Sequence, residues 1–146
     1  MIFNINKITE NDLYGLINLY SQLVNEKSDL NKMKNIYKKI ASNDNYYLLG
    51  AKDETDTLVG SIMGVVCYDL LRECRPFMVM ENMIVNENSR GKGIGKKLIA
   101  KLESIAKEQG CIFIEFCSSS FRKEAHKFYE SAGYNPDEVQ GYRKFL

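Results

Sequence analysis

One histidine and no C-x-x-C pair leave this 146-residue chain without the usual means of holding a structural zinc. It has four cysteines, Cys67, Cys74, Cys111 and Cys117, and apolar flanks occur among them, as in "VVCY" and "EFCS". The opening "MIFNINKITE" lacks the basic region and apolar core of an export signal, so the expectation is buried, reduced thiols rather than a disulfide framework. No apolar run approaches the roughly 20 residues of a membrane span. Neither sign of charge dominates, with 20 Lys plus Arg against 19 Asp plus Glu, and basic residues gather only between Arg90 and Lys101, so the chain has no broad electrostatic footprint for nucleic acid. These absences predict a cytoplasmic protein with no metal, no nucleic-acid partner and no membrane. The 45% hydrophobic content over this length suits one core, hence a single domain over residues 1–146.

The apolar spacing lays out the elements in order. "MIFNINKI" alternates like a first strand. Thr9 and Asp12 then approximate a capping box ahead of Leu13, Leu16, Ile17, Tyr20 and Leu23 at helical spacing. A second, shorter helix carries Leu30, Met33, Tyr37 and Ile40 on one face. The period then changes to that of strands: "YYLLGAK" and "TLVGSIMGVVCYDLL" flank the turn-forming "DETD", and "FMVMENMIV" follows "LRECRP", which predicts three antiparallel strands side by side. Ile94, Leu98, Leu102 and Ile105 mark a third helix that ends at Gly110. "CIFIEFC" reads as a strand parallel to the one before the helix, through a right-handed crossover. A last helix bears Phe121, Ala125, Phe128 and Ala132, and "GYRKFL" reads as a closing strand whose edge offers pairing to a second copy in a homodimer. The class is α/β, a mixed and mostly antiparallel sheet flanked by helices.

The chemistry concentrates in "VMENMIVNENSRGKGIGKKLIAKL". A glycine-rich loop opening a helix presents free N–H groups and partial positive charge to a phosphate or pyrophosphate. A Walker loop fails, because the second glycine would have to stand at Lys96; the dinucleotide fingerprint fails for want of a third glycine. The spacing present is Arg90-x-x-Gly93-x-Gly95 between a strand and a helix. Together with "EAHKFYESAGY" downstream it resembles the GNAT superfamily of acetyl-coenzyme-A-dependent N-acetyltransferases, over roughly residues 77–134. The resemblance implies a GNAT-like α/β sandwich. It also implies that acetyl-CoA is the co-substrate, its pyrophosphate held by the N–H groups of Gly91, Lys92, Gly93, Ile94, Gly95 and Lys96. Arg90 opens that motif, and the pantetheine arm pairs along Met83, Ile84 and Val85. Where many relatives carry Asn ahead of the late helix, this chain has Arg122, which leaves that contact open and offers a coenzyme phosphate a cation instead; Phe128 belongs to the same motif.

Acetyl transfer to an amine requires two proton movements. An alkyl ammonium is neutral at pH 7 in only about one molecule in a few thousand, and only the neutral form attacks a thioester. Glu81, in the strand beside the thioester, is the base the resemblance implies, expected to be partly buried, with Glu115 as the competing carboxylate. Tyr129 stands where many relatives carry the acid that protonates the departing thiolate, and a backbone N–H near Met83 would meet the developing oxyanion. His126 reads more simply as an inert residue on a polar face. The acceptor implied is a primary amine of a small molecule or a peptide, shaped by the first two helices and "LRECRP". The reading from another class is a non-catalytic acyl-CoA sensor, in which Glu81 and Tyr129 only pack.

Overall fold

In a computed structural model that describes residues 2–146, the elements follow the order β1 (Asn4–Lys7), α1 (Leu13–Val24), α2 (Leu30–Ala41), β2 (Tyr46–Lys52), β3 (Leu58–Cys67), β4 (Phe77–Val85), α3 (Ile94–Glu108), β5 (Ile114–Glu115) and α4 (Lys123–Ser131). The strands form one sheet in the order β1-β2-β3-β4-β5. β1 through β4 pair antiparallel, and β5 joins β4 in parallel as the crossover predicts. By contact the chain divides into two compact units, Met1–Glu115 and Phe116–Leu146.

In the first unit the period-2 alternation of β3 sorts side chains between two helical layers. Ile8, Leu13, Leu16, Leu19, Leu48, Leu58 and Ile84 form a buried cluster on the side of α1, with Met33, Tyr37 and Ile40 of α2 packed against it. The opposite face receives α3 through Ile94, Leu98, Ile99, Leu102 and Ala106. Glycine permits that approach: a Cβ on Gly64 would stand 2.5 Å from Leu102 Cδ1 and 2.8 Å from Met78 Sδ.

The expected capping box forms. Asp12, 8% exposed, accepts from the Thr9 N–H at 2.8 Å and the Thr9 hydroxyl at 2.9 Å, and its other oxygen lies 2.7 Å from Lys52 Nζ on β2. Burial alone would raise its pKa, but the bonds from Lys52 and Thr9 outweigh burial and hold the carboxyl below the ordinary 3.8. A depressed folded-state pKa stabilises the fold fully above the ordinary value, and that contribution is lost as pH falls through the folded value. Asp12→Asn should therefore cost about 2 kcal/mol at neutral pH. The gap between variant and wild type in urea denaturation should narrow below pH 4; a gap independent of pH would deny the ion pair this role.

Two expectations are corrected here. "GYRKFL" forms no strand: Tyr142 and Phe145 are 87% and 88% exposed, and the sheet ends at the two-residue β5. Alternation prepares a segment for pairing, but a ladder needs a partner with open hydrogen bonds, so the edge expected to join a homodimer is absent as a strand. The cysteines are free, but none is buried: Cys74 and Cys117 are exposed and Cys67 and Cys111 half-buried. Among the described residues no helix is long and apolar enough to cross a membrane.

The second unit is built around α4. Phe116 packs on Tyr129 and Tyr134 at centroid distances of 4.5 and 5.2 Å. Gly133, with φ +94°, follows the helix in the left-handed conformation that glycine adopts without steric cost.

Candidate active site

The centre of β4 carries a bulge. Ser61 pairs with Ile84 and Met63 with Glu81, so Asn82 and Met83 together oppose the single residue Ile62. Asn82 takes φ +52°, a left-handed conformation that asparagine tolerates better than most side chains. The extra residue resets the alternation: Met78 and Met80 are buried before it, Glu81 and Asn82 are exposed, and Met83 and Ile84 are buried after it. Glu81 is thus exposed rather than partly buried as expected, because the bulge lifts two consecutive polar residues out of the packed sequence of the strand. Cross-strand partners share a face, which places Glu81 on the side of Met63.

Met63 and Asn82 both line a cleft of ≈ 440 Å³ on the α1–α2 side of the sheet. Its walls are apolar, with Leu16, Met33, Ile36 and Leu48 among them. Two of its polar groups are already engaged within the fold: Tyr37 Oη donates to the Ile8 carbonyl at 3.0 Å, and the Asp29 carboxylate caps α2 by accepting from the Lys32 N–H at 2.8 Å. Tyr20 of α1 also lines the cleft, with its hydroxyl toward Ser61 and Asn82. Burial raises the Tyr20 pKa, and those two neighbours oppose the rise in part. The approach to Ser61 stops short of hydrogen-bond geometry, because Ser61 Oγ, fully buried, has no partner.

On its other side β4 pairs with β5 only at Met78 and Val79. Among the described residues no strand continues the ladder from Met80 to Val85, so Met83, Ile84 and Val85 lie on an edge that an extended ligand can join. Arg90 Nε donates to the Val85 carbonyl at 3.2 Å, which ties the loop back to the strand and spends that acceptor.

Gly91 and Gly93 have φ of +75° and +79°, and Gly93 is the N-cap of α3. A Cβ at either position would meet nothing within 4 Å. Neither glycine is required by crowding, and the left-handed backbone bares the N–H groups at the start of α3. A turn with free N–H groups and open space at both glycines fits a pyrophosphate. Ile94 contributes backbone only, since its side chain is buried beneath the helix, while Gly95 is half-buried and Lys96 exposed. Lys92 Nζ donates to the Asn88 carbonyl at 3.2 Å, and Lys97 Nζ lies 4.5 Å from the Phe3 ring centroid, so these two cations also serve local structure.

The structure brings Glu81, Met83, Ile84, Val85 and residues 90–96 together on consecutive elements of the first unit. Glu115 is half-buried on β5 opposite Val79. Arg122, Phe128 and Tyr129 belong to the second unit, where Arg122 is the N-cap of α4 and Phe128 packs edge-on against Tyr129 at 5.6 Å. Burial raises the Tyr129 pKa and the charge of Arg122 partly offsets that, so the phenol keeps its proton through the neutral range. His126 Nε2 lies 3.0 Å from the Ser119 carbonyl, in keeping with a structural role. Sequence reasoning gives no role to Tyr20 or Asn82, which line the cleft, or to Ser61, buried behind Tyr20. Two adjacent polar residues inside an apolar strand were the available signal of a bulge.

An open sheet edge beside a glycine turn is the arrangement observed, and the sequence pattern of the Acetyltransferase (GNAT) family matches residues 12–134. The chain belongs to that family. Its relatives include the Probable glucosamine 6-phosphate N-acetyltransferase of Drosophila melanogaster, 25% identical over 123 residues, covering 82% of this chain and 54% of that protein. Glucosamine 6-phosphate N-acetyltransferase 1 of Dictyostelium discoideum is 31% identical over 99 residues, covering 66% of this chain and 60% of that protein. The chain thus spans little more than half the length of these relatives. The crystal structure of glucosamine-6-phosphate N-acetyltransferase from Arabidopsis thaliana superposes with a TM-score of 0.87 over all of both chains at 25% identity. The GNAT-like sandwich expected from the loop and late-helix motifs is the fold observed.

Proposed function

We propose that residues 1–146 act as one acetyltransferase domain that moves acetyl from acetyl-CoA to a primary amine of a small molecule, by direct attack while both substrates are bound. The observation that carries this reading is the bulge: it sets Glu81 on the cleft face of β4, where the strand's other edge is open and the glycine turn lies only a few residues downstream. When bound, acetyl-CoA supplies an activated thioester. The backbone N–H groups from Gly91 to Lys96 hold its pyrophosphate, and the Met83–Val85 edge aligns the pantetheine. Glu81, directly or through water, takes the proton from the acceptor ammonium, and the Met83 N–H faces the developing oxyanion. Tyr129 supplies a proton to the departing thiolate, a role its retained proton permits.

The test is amine-dependent release of free coenzyme thiol. A sensor would bind acetyl-CoA in calorimetry and release thiol with no amine in a broad panel. Tyr129→Phe should lower turnover by about tenfold or more while coenzyme affinity changes much less, because the phenol acts on the leaving group rather than on the bound ground state. Equal turnover in the two proteins would return Tyr129 to a packing role beside Phe116.

A further inference from the structure

The α1–α2 cleft has a chemical character that the family assignment does not dictate. Its walls are mostly aliphatic; its polar lining residues are Tyr20, Ser28, Asp29, Lys32, Tyr37 and Asn82, of which Tyr37 and Asp29 each make a hydrogen bond within the fold. Lys32 is the one cation among its lining residues. A phosphorylated sugar carries several hydroxyls and a doubly ionised group, each needing partners once removed from water, and these walls offer few. At the polar end stand Tyr20 and Asn82, backed by Ser61, whose buried Oγ has no hydrogen-bond partner. A buried hydroxyl left unpaired costs about 1–3 kcal/mol and points to a partner gained in another state.

We propose that the acceptor is a primary amine on an apolar body, and that Tyr20 is the residue that positions its ammonium beside Glu81. This rests on the acetyltransferase reading above. The Tyr20 hydroxyl turns its proton onto Ser61 Oγ, which satisfies the orphan, and its lone pairs accept from the ammonium. Asn82, held at the bulge by its left-handed backbone, supplies a second acceptor. The apolar body then lies against Leu16, Met33, Ile36 and Met63, and its burial provides the affinity. Tyr20 moves no proton to or from substrate; it fixes the direction from which the nitrogen approaches.

The experiment compares thiol release with phenethylamine, hexylamine and glucosamine 6-phosphate. The expected result is a kcat/KM for the two apolar amines at least about tenfold above that for the sugar phosphate. Tyr20→Phe should raise KM for the apolar amines about tenfold with a smaller change in kcat. Ser61→Ala, which removes an unpaired group and should not destabilise the fold, should shift KM the same way by a smaller factor. Preference for glucosamine 6-phosphate would overturn this proposal and leave the acetyltransferase reading standing. So would unchanged KM in both variants. Bound acetyl-CoA with no release from any of the three amines, nor from a wider amine panel, would overturn both.

Discussion

Calorimetry on Gly93→Val should find acetyl-CoA bound more than tenfold more weakly than by the wild type. Gly93 caps α3 with φ +79°, and a side chain there meets no protein atom within 4 Å, so valine enters the space that the coenzyme pyrophosphate would occupy. Two effects have to be separated. A β-branched residue at positive φ is strained by about 1–2 kcal/mol whatever lies nearby, which lowers the melting temperature. Gly110 provides the control: it has φ +75°, equally open surroundings, and a place at the far end of α3. Gly110→Val should lose comparable stability and keep its coenzyme affinity. A tenfold change in dissociation constant corresponds to about 1.4 kcal/mol, well within calorimetric resolution. Equal affinity in Gly93→Val and wild type would show that the turn is only a helix start.

Glu81→Gln should leave coenzyme affinity intact and lower turnover near pH 7 by about 10²-fold or more. Glu81 is exposed on the bulge, so replacing it with an amide of the same shape should change stability by no more than about 0.5 kcal/mol. Loss of rate without loss of fold would therefore report on proton removal. The deficit should shrink with rising pH, because solvent supplies more of the neutral amine as the ordinary alkylamine value near 10.4 is approached. If Glu81→Gln reproduced the wild-type rate and its pH profile, the base would have to be sought at Glu115 or in a water held by backbone groups.

The sequence by itself determined the order of the elements from β1 to α4, the parallel crossover, and the glycine turn that opens α3. Each is written in local terms: Leu13, Leu16, Ile17, Tyr20 and Leu23 repeat at helical spacing, β2 and β3 flank a turn, and a glycine turn needs only its own backbone to bare N–H groups. The pairing partners of a strand are not local. The bulge at Asn82 exists only because Ser61 and Met63 fix the register on the far side, and with it came the exposure of Glu81. "GYRKFL" has the alternation of a strand but no partner strand to make it one. Tyr20, read from its spacing as one more apolar helix position, lies with Ser61 and Asn82 from two strands distant in sequence, and no periodicity encodes that meeting. Helical and turn preferences act over a few residues and can be read along the chain; the polar end of the cleft was decided by tertiary packing, because hydrogen bonding and burial depend on which side chains meet in space.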